Sequence, residues 1–144
     1  MTNIDNIFHL FDEEGDNKEE TQEKNIFFDF KNHPVYKILM FKKMILNHLT
    51  NRKVITAILK KADPLLDEDN ALNIGDSICY NKSMDYIIEL DLNNITVIDS
   101  IIEQSNDELL LALNKAEKYF LDIELYEKCA VIKKIQDIVK ENLT

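Results

Sequence analysis

The fold is decided by residues 106–143, which read NDELLLALNKAEKYFLDIELYEKCAVIKKIQDIVKENL. Apolar residues recur in its first half at steps of three and four, so they share one helical face: Leu109, Ala112, Leu113, Ala116, Phe120 and Ile123. Ser105 and Glu108 have the spacing of a capping box just before this run, which makes Ser105 the predicted cap. The phase breaks at 122–124, and a second helical run follows. Two helices joined by so few residues must lie antiparallel, so the pattern predicts a helical hairpin.

The second helix of this hairpin carries apolar residues over an arc too wide for the first helix to cover alone. Its apolar residues are Leu125, Cys129, Val131, Ile132, Ile135, Ile138 and Val139. One edge is expected to pack on the first helix. The other edge must meet either a central helix at 35–49 or a second protein molecule, because soluble monomers seldom leave such a stripe exposed. We expect internal packing, with a residual surface around Tyr126 and Lys133 for a partner.

Residues 126–135, YEKCAVIKKI, also carry a recognisable motif. Its pattern is aromatic-Glu-x-Ala-Ala-x-Leu-basic-Asp-x-Ile, and the residues that match are Tyr126, Glu127, Ala130 and Lys133. Cys129 and Ile132 stand in for Ala and Leu, while Lys134 replaces the acid. With the helix before it, the stretch 113–140 resembles a UVR motif, a helical hairpin of nucleotide-excision-repair subunits, some Clp-type ATPases and related adaptors. The resemblance implies a hairpin that mediates protein contacts, often by pairing with another hairpin, and that has no catalytic residues. A homodimer is one such arrangement.

Residues 1–30 differ sharply in composition from the rest of the chain. They hold nine acids and two lysines, for a formal charge of −7, and their middle contains no apolar residue. Such a segment cannot bury enough surface to offset its ordering entropy, which predicts a disordered acidic arm. Two apolar clusters flank the middle, and aromatic clusters in acidic arms are typical of partner-docking segments. The second cluster, 26–30, is expected to pack against the domain instead. The candidate docking residues are Ile7, Phe8 and Phe11, which share a helical face with Ile4.

Residues 31–144 form the predicted helical domain. Pro34 is suited to the first position of a helix, with Asn32 or His33 as its cap. The stretch 35–49 is apolar around nearly the whole helix, which is typical of the central helix of a bundle. This helix is therefore the expected core of the domain.

Cap and breaker residues divide the rest of the domain. Thr50 or Asn51 is expected to end the central helix and to cap a further one that stops before Pro64. The Asp- and Asn-rich stretch 65–75 is predicted to be a loop, and a shorter helix covers 95–102. Very few glycines and prolines argue against an all-β fold. The sequence thus predicts an all-α bundle of about six helices, with Asp76 or Ser77 capping the third.

The stretch 31–62 carries eight basic residues and no acid in a chain whose net charge is −10. Its candidate contact residues are Arg52, Lys53, Lys60 and Lys61. A basic face can meet nucleic-acid phosphate, an acidic protein or the chain's own acidic arm. The alternative is that these lysines only solvate the outside of two helices. A single arginine supplies few bidentate contacts to bases or phosphates, so protein binding ranks above nucleic-acid binding.

Patterns that carry catalysis or cofactor binding are missing from the sequence. There is no zinc-ligand spacing, no Gly-rich phosphate loop and no nucleophile motif, so we expect neither an enzyme nor a cofactor or metal. No apolar run approaches the ~20 residues of a membrane span, and no signal peptide is evident. Cys79 and Cys129 lie in helical patterns and are interpreted as reduced core thiols of a cytoplasmic protein, although a disulfide stays an alternative.

These features favour a non-enzymatic adaptor or regulatory protein. It would bind a protein partner through the C-terminal hairpin, the acidic arm or both. The alternative is an accessory factor of a nucleic-acid machine that uses the basic stretch 31–62. Small acidic Asn- and Lys-rich helical proteins of this kind are similar to accessory proteins of large tailed phages, and this similarity is compositional.

Overall fold

The structure is a computed structural model that describes residues 29–143. Five helices lie within this range: α1 Pro34–Ala62, α2 Glu68–Ile87, α3 Ile95–Glu103, α4 Asp107–Asp122 and α5 Tyr126–Glu141. Residues 29–32 are helical as well, and none of the described residues is in a strand. The predicted all-α class is therefore confirmed. The number of helical segments also agrees, although two predicted helices are fused.

The first half of α1 is the centre of the bundle. His33 caps the helix, because its Nδ1 accepts a hydrogen bond from the backbone N–H of Val35 at 3.1 Å, and Pro34 occupies the first turn. Ile38, Phe41 and Ile45 are almost completely buried. Helices α2, α3 and α4 all pack against α1. The prediction of a central helix over 35–49 is thus confirmed.

The predicted break at Thr50 and Asn51 is wrong, because α1 continues through both residues to Ala62. The Thr50 hydroxyl donates to the carbonyl of Leu46, and the Asn51 amide donates to that of Asn47, each at 3.0 Å. These side chains bond back into their own helix and do not cap a new one. The helix ends at Ala62, and its C-cap Asp63 lies immediately before Pro64, as expected.

The predicted loop over 65–75 is also wrong, since α2 begins at Glu68. Asp67 caps the helix by accepting a hydrogen bond from the backbone N–H of Asn70 at 2.7 Å. Gly75 lies inside α2 and faces α1, where an added Cβ would come within 3.3 Å of Ile55 Cγ2. The acidic residues of this stretch are therefore a helix cap and a first turn, where the helix dipole favours anions.

Helix α4 is capped one residue later than predicted. Asn106 is the cap and accepts a hydrogen bond from the backbone N–H of Leu109 at 2.8 Å. The Ser105 hydroxyl instead donates to the carbonyl of Ile101 in the helix before it, also at 2.8 Å. Ser105 therefore closes α3, and the capping box predicted for it does not form.

The C-terminal hairpin consists of α4, α5 and the turn between them. Glu124 in that turn has a positive φ of 61°, which lets the chain reverse within three residues. Ile132, Ile135 and Val139 are buried within the chain, so the expectation of internal packing is confirmed. The main neighbours of α5 are α4 and α3, whereas a central helix had been expected to cover its second edge. The short helix α3 fills that position, since it contacts both α1 and α5.

Candidate functional site

The residues predicted from the hairpin motif lie on one open face of α5. Tyr126 is 62% exposed, and Ala130 and Lys133 are exposed as well. These three residues follow one another at steps of four and three, which places them on the same side of the helix. That side points away from the buried stripe containing Ile132.

A cluster of apolar side chains surrounds the hairpin turn next to this face. We call it the turn patch, and its members are Leu121, Ile123, Leu125 and Tyr126, all of which are 40% exposed or more. Lys128 of α5 contacts α4 close to the turn, because its Nζ lies 5.0 Å from the centre of the Phe120 ring. The same ammonium donates a hydrogen bond to Asn81 Oδ1 at 3.1 Å, which ties α5 to α2. The turn patch is therefore presented on a fixed support.

The four predicted basic residues do not form one face. Lys53 and Lys60 are seven residues apart on α1 and share a side, whereas Lys61 lies about 100° further around the helix. Arg52 is engaged in a two-point ion pair, with Nε 3.1 Å from Asp76 Oδ1 and a terminal nitrogen 2.8 Å from Oδ2. The guanidinium N–H groups that would contact a phosphate therefore already donate to the Asp76 carboxylate.

The other predicted site residues, Ile7, Phe8 and Phe11, lie outside the described part of the chain. The same holds for the disorder predicted for the acidic arm, apart from its last two residues. Phe30 is described, is helical and packs edge-to-face on Tyr36 with 5.4 Å between ring centres. This contact agrees with the expectation that the second aromatic cluster packs against the domain.

A buried polar cluster that the sequence did not reveal joins α1 to α2. His48 is only 4% exposed, and its Nε2 lies 2.7 Å from Asp76 Oδ1. Burial favours the neutral form of Asp76, but hydrogen bonds from Arg52 and His48 outweigh it and hold the pKa of this carboxyl below its usual value. The hydrogen bond to Asp76 in turn raises the pKa of Arg52. His48 lies inside α1 and not at a helix end, because α1 continues past it to Ala62.

The chemistry of this cluster is that of a structural contact. Cys79 lies three residues beyond Asp76, and burial together with the charge of Asp76 raises the pKa of its thiol to about 11. A nucleophilic cysteine requires the opposite shift, towards the thiolate. Burial also raises the pKa of Tyr80 to about 12, and its ring stacks on Tyr119 at 4.6 Å. We therefore assign the His48–Asp76–Arg52 cluster the role of holding two helices together.

An apolar groove runs along the outer halves of α1 and α2, and we call it the α1–α2 groove. Its inner cavity has a volume of ≈ 330 Å³ and is lined by Met44, Asn47, His48, Asn51, Ile55, Leu59, Gly75, Ile78 and Cys79. Val54 and Ile58 on α1 follow the lining residue Asn51 at steps of three and seven, so helical spacing places them along one lip, where they are 58% and 60% exposed. On α2 the lining residue Ile78 is exposed, and so is Ile74, which lies four residues before it along the other lip. A volume of this size is at the lower end of those found for ligand pockets.

Two other kinds of site are absent from the described residues, a metal site and a membrane-spanning helix. No three side chains among the His, Cys, Asp and Glu residues of 29–143 are arranged to hold a metal ion. No helix in that range combines the length and the apolar character that crossing a membrane requires.

Comparison with known proteins adds no further assignment. No protein-family model, curated protein or solved structure matches this chain. Its function must therefore be argued from the surfaces described above.

Proposed function

We propose that this chain is a non-enzymatic interaction protein that binds a protein partner through its C-terminal hairpin. The observation that carries the proposal is the turn patch. Single exposed apolar residues are normal on any protein, but a contiguous cluster on a fixed support is typical of a contact surface. The apolar stripe of the same hairpin is buried inside the chain, so the turn patch is what the hairpin offers to a partner.

The composition of the patch favours a partner of definite chemistry. An aromatic residue near the centre of an apolar patch, with charged residues at its rim, is the usual arrangement of a protein interface. Tyr126 is the aromatic and most exposed residue of the patch, and its sequence neighbours Asp122, Glu124 and Glu127 are exposed as well. The complementary surface would be an apolar pocket bordered by basic side chains.

The resemblance to a UVR motif supports the same surface, because Tyr126 and Lys133 both match that motif and both are exposed. A second hairpin is one form that the partner would take, and a homodimer is a special case of it. We place this activity in the cytoplasm, in keeping with two buried cysteines that are not disulfide-bonded. Nucleic-acid binding has less support, since Arg52 is paired with Asp76 and the patch is rimmed by acids.

The proposal is tested by capture of partners from the native host, using the full chain and two variants. Tyr126→Asp places a charge in the turn patch, and we expect at least about a tenfold loss of affinity, as for other central aromatic residues of interfaces. Leu111→Asp is the matched control, because Leu111 is 44% exposed on the same hairpin but away from the turn. Tyr126 is largely exposed, so neither variant should unfold the chain.

Two outcomes would contradict the proposal. Equal capture of the same proteins by Tyr126→Asp and by the unchanged chain would remove the turn patch as the interface. Partners that disappear after nuclease treatment would show that nucleic acid mediates the contact. Sedimentation of the same three proteins decides whether the partner is a second copy of the chain.

A further inference from the structure

The α1–α2 groove is reached directly from the point where the described chain begins. The Phe30 ring packs on Tyr36, and Tyr36 packs on Tyr86 with 6.3 Å between ring centres. Tyr86 and Met44 line an outer cavity of ≈ 360 Å³, together with Lys82 and Asp85. Met44 also lines the inner cavity of ≈ 330 Å³. A continuous path therefore leads from Phe30 along one side of the helix pair.

The far part of this path has the character of an uncovered core. Val54, Ile58 and Ile78 are exposed, and they border a floor that contains Gly75 and the half-buried Ile55. Apolar lips on both sides of a concave floor form a larger contiguous patch than isolated surface residues do. Such a groove is suited to the apolar face of a short amphipathic segment.

We propose that residues 4–11 of the same chain dock in the α1–α2 groove. In this segment Ile4, Ile7, Phe8 and Phe11 follow one another at the spacing of one helical face. Such a face is what an apolar groove between two helices accepts. The contact lies within one chain and does not rest on the partner proposed for the turn patch.

The length of the connecting chain permits this contact. Seventeen residues separate Phe11 from Asp29, and fully extended they span at most about 56 Å. The stretch of α1 from Tyr36 to Leu59, which spans the path from Phe30 and the whole groove, is about 35 Å long. The segment can therefore reach any part of the groove. Because it is tethered, its effective concentration is in the millimolar range, so a weak contact is sufficient to keep it bound.

The charges along the path favour the same occupant. Residues 12–24 hold seven acids and two lysines, for a net charge of −5. Lys43, Lys61 and Lys82 are exposed on the two helices that form the groove, and 31–62 contains no acid. Asp85 opposes the attraction at the outer cavity. Single exposed ion pairs are weak, but opposite net charges hold the connecting chain close to the helix pair.

The absence of tryptophan from the sequence provides a direct test. Phe8→Trp introduces a single fluorescent reporter in the proposed docking segment of the full chain. We expect blue-shifted emission and several-fold weaker quenching by acrylamide than in a denatured sample, because the indole lies in the groove. Adding Ile78→Asp places a charge in the groove and should return both readings to those of an exposed indole.

Two further variants keep this test decisive. Ile95→Asp is the matched control, because Ile95 is 69% exposed on α3, away from the groove, and should leave the emission unchanged. Ile58→Asp alters the other lip and replaces Ile78→Asp if circular dichroism shows that the latter loses helix. An exposed indole in the Phe8→Trp chain overturns the proposal. So does a blue shift that survives both groove substitutions, or one that fades on dilution, since that would place a second copy in the groove.

Discussion

The two helical hairpins of this protein use their apolar residues in opposite ways. The C-terminal hairpin has two helices of 16 residues each. Its residues Leu113, Phe120 and Ile132 are fully buried in the core of the bundle. The N-terminal hairpin consists of α1 and α2, which have 29 and 20 residues. Its two helices extend well beyond the core. Past Thr56 no residue of α1 is fully buried. Helices longer than the body they pack on must leave part of their apolar face open.

This difference shows what a periodic pattern does and does not establish. The apolar residues at 54–62 form as clean a helical stripe as those of α4. In α4 the stripe meets α1 and α5 and is buried. At the end of α1, Ile55 and Leu59 lie near Gly75 of α2, while Val54 and Ile58 stay exposed. Periodicity therefore identifies the face of a helix, and the length and number of neighbouring helices decide whether that face becomes core or surface.

Charge substitution gives the largest expected contrast between the two hairpins. Ile132→Asp buries an unpaired carboxylate where the native side chain is 0% exposed, so we expect it to lower the free energy of unfolding by about 3–5 kcal/mol. Ile58→Asp makes the same change at a residue that is 60% exposed, so it should cost only about 1 kcal/mol, including the release of residues 4–11 from the groove. Urea unfolding of both variants provides the measurement.

Similar losses in the two variants would show that the end of the N-terminal hairpin is as fully packed as the C-terminal one. An unchanged melting temperature for Ile132→Asp, accompanied by dissociation of a dimer, would instead mean that the C-terminal stripe is an interface between chains. Either result would remove the contrast.

The parts of the fold that the sequence predicted well are those with local causes. The Pro34 start and the stop before Pro64 follow from the backbone restrictions of proline, and the turn predicted at 122–124 follows from the break in the apolar period there. The junction at Thr50 and Asn51 was misread because these residues serve equally as caps and as helix residues that bond back to a carbonyl. Whether these residues cap a new helix or continue the same one depends on whether α2 packs beside α1 at this point. The local sequence pattern does not contain that information.

The buried polar cluster was missed for the same reason. His48 and Arg52 are four residues apart and face the same way only if α1 is continuous. Asp76 approaches them only if the stretch before it is helical and not a loop. Two errors in helix boundaries therefore concealed one contact. The exposed residues Tyr126 and Lys133 were located from a local motif, and that motif does not depend on tertiary neighbours.

Removing the charge of Asp76 tests how the N-terminal hairpin is held together where it joins the core. Asp76→Asn should lower the free energy of unfolding by about 1–3 kcal/mol at neutral pH, because His48 and Arg52 lose a charged partner. The pKa of Asp76 is lower in the folded state, so its contribution is present above the unfolded value of about 3.9 and is lost as the pH falls through the folded value. The stabilities of the two proteins should therefore converge below about pH 4.

A matched control separates this effect from the general loss of a carboxylate. Asp99 is exposed on α3, and Asp99→Asn should leave the stability unchanged across the same pH range. If Asp76→Asn behaves in the same way as Asp99→Asn, the cluster does not hold α1 to α2. The stability of the N-terminal hairpin would then depend on apolar contacts alone.

The smallest expected effect concerns how closely α1 and α2 approach each other at Gly75. Gly75→Ala should gain up to about 1 kcal/mol, because glycine inside a helix is less favourable than alanine by this amount. The added methyl group would lie 3.3 Å from Ile55 Cγ2, which is a tight contact. Ile55 is only half-buried and lines the open groove, so its side chain has room to move. We therefore expect a net gain of about 0.5 kcal/mol in the free energy of unfolding, measured by thermal or urea unfolding.

Asn73→Ala is the matched control, because it lies at an exposed position of the same helix and reports the propensity gain without the contact. A loss in Gly75→Ala alongside a gain in Asn73→Ala would mean that Ile55 cannot yield, and the N-terminal hairpin would then be packed as rigidly at the groove as the C-terminal hairpin is in the core.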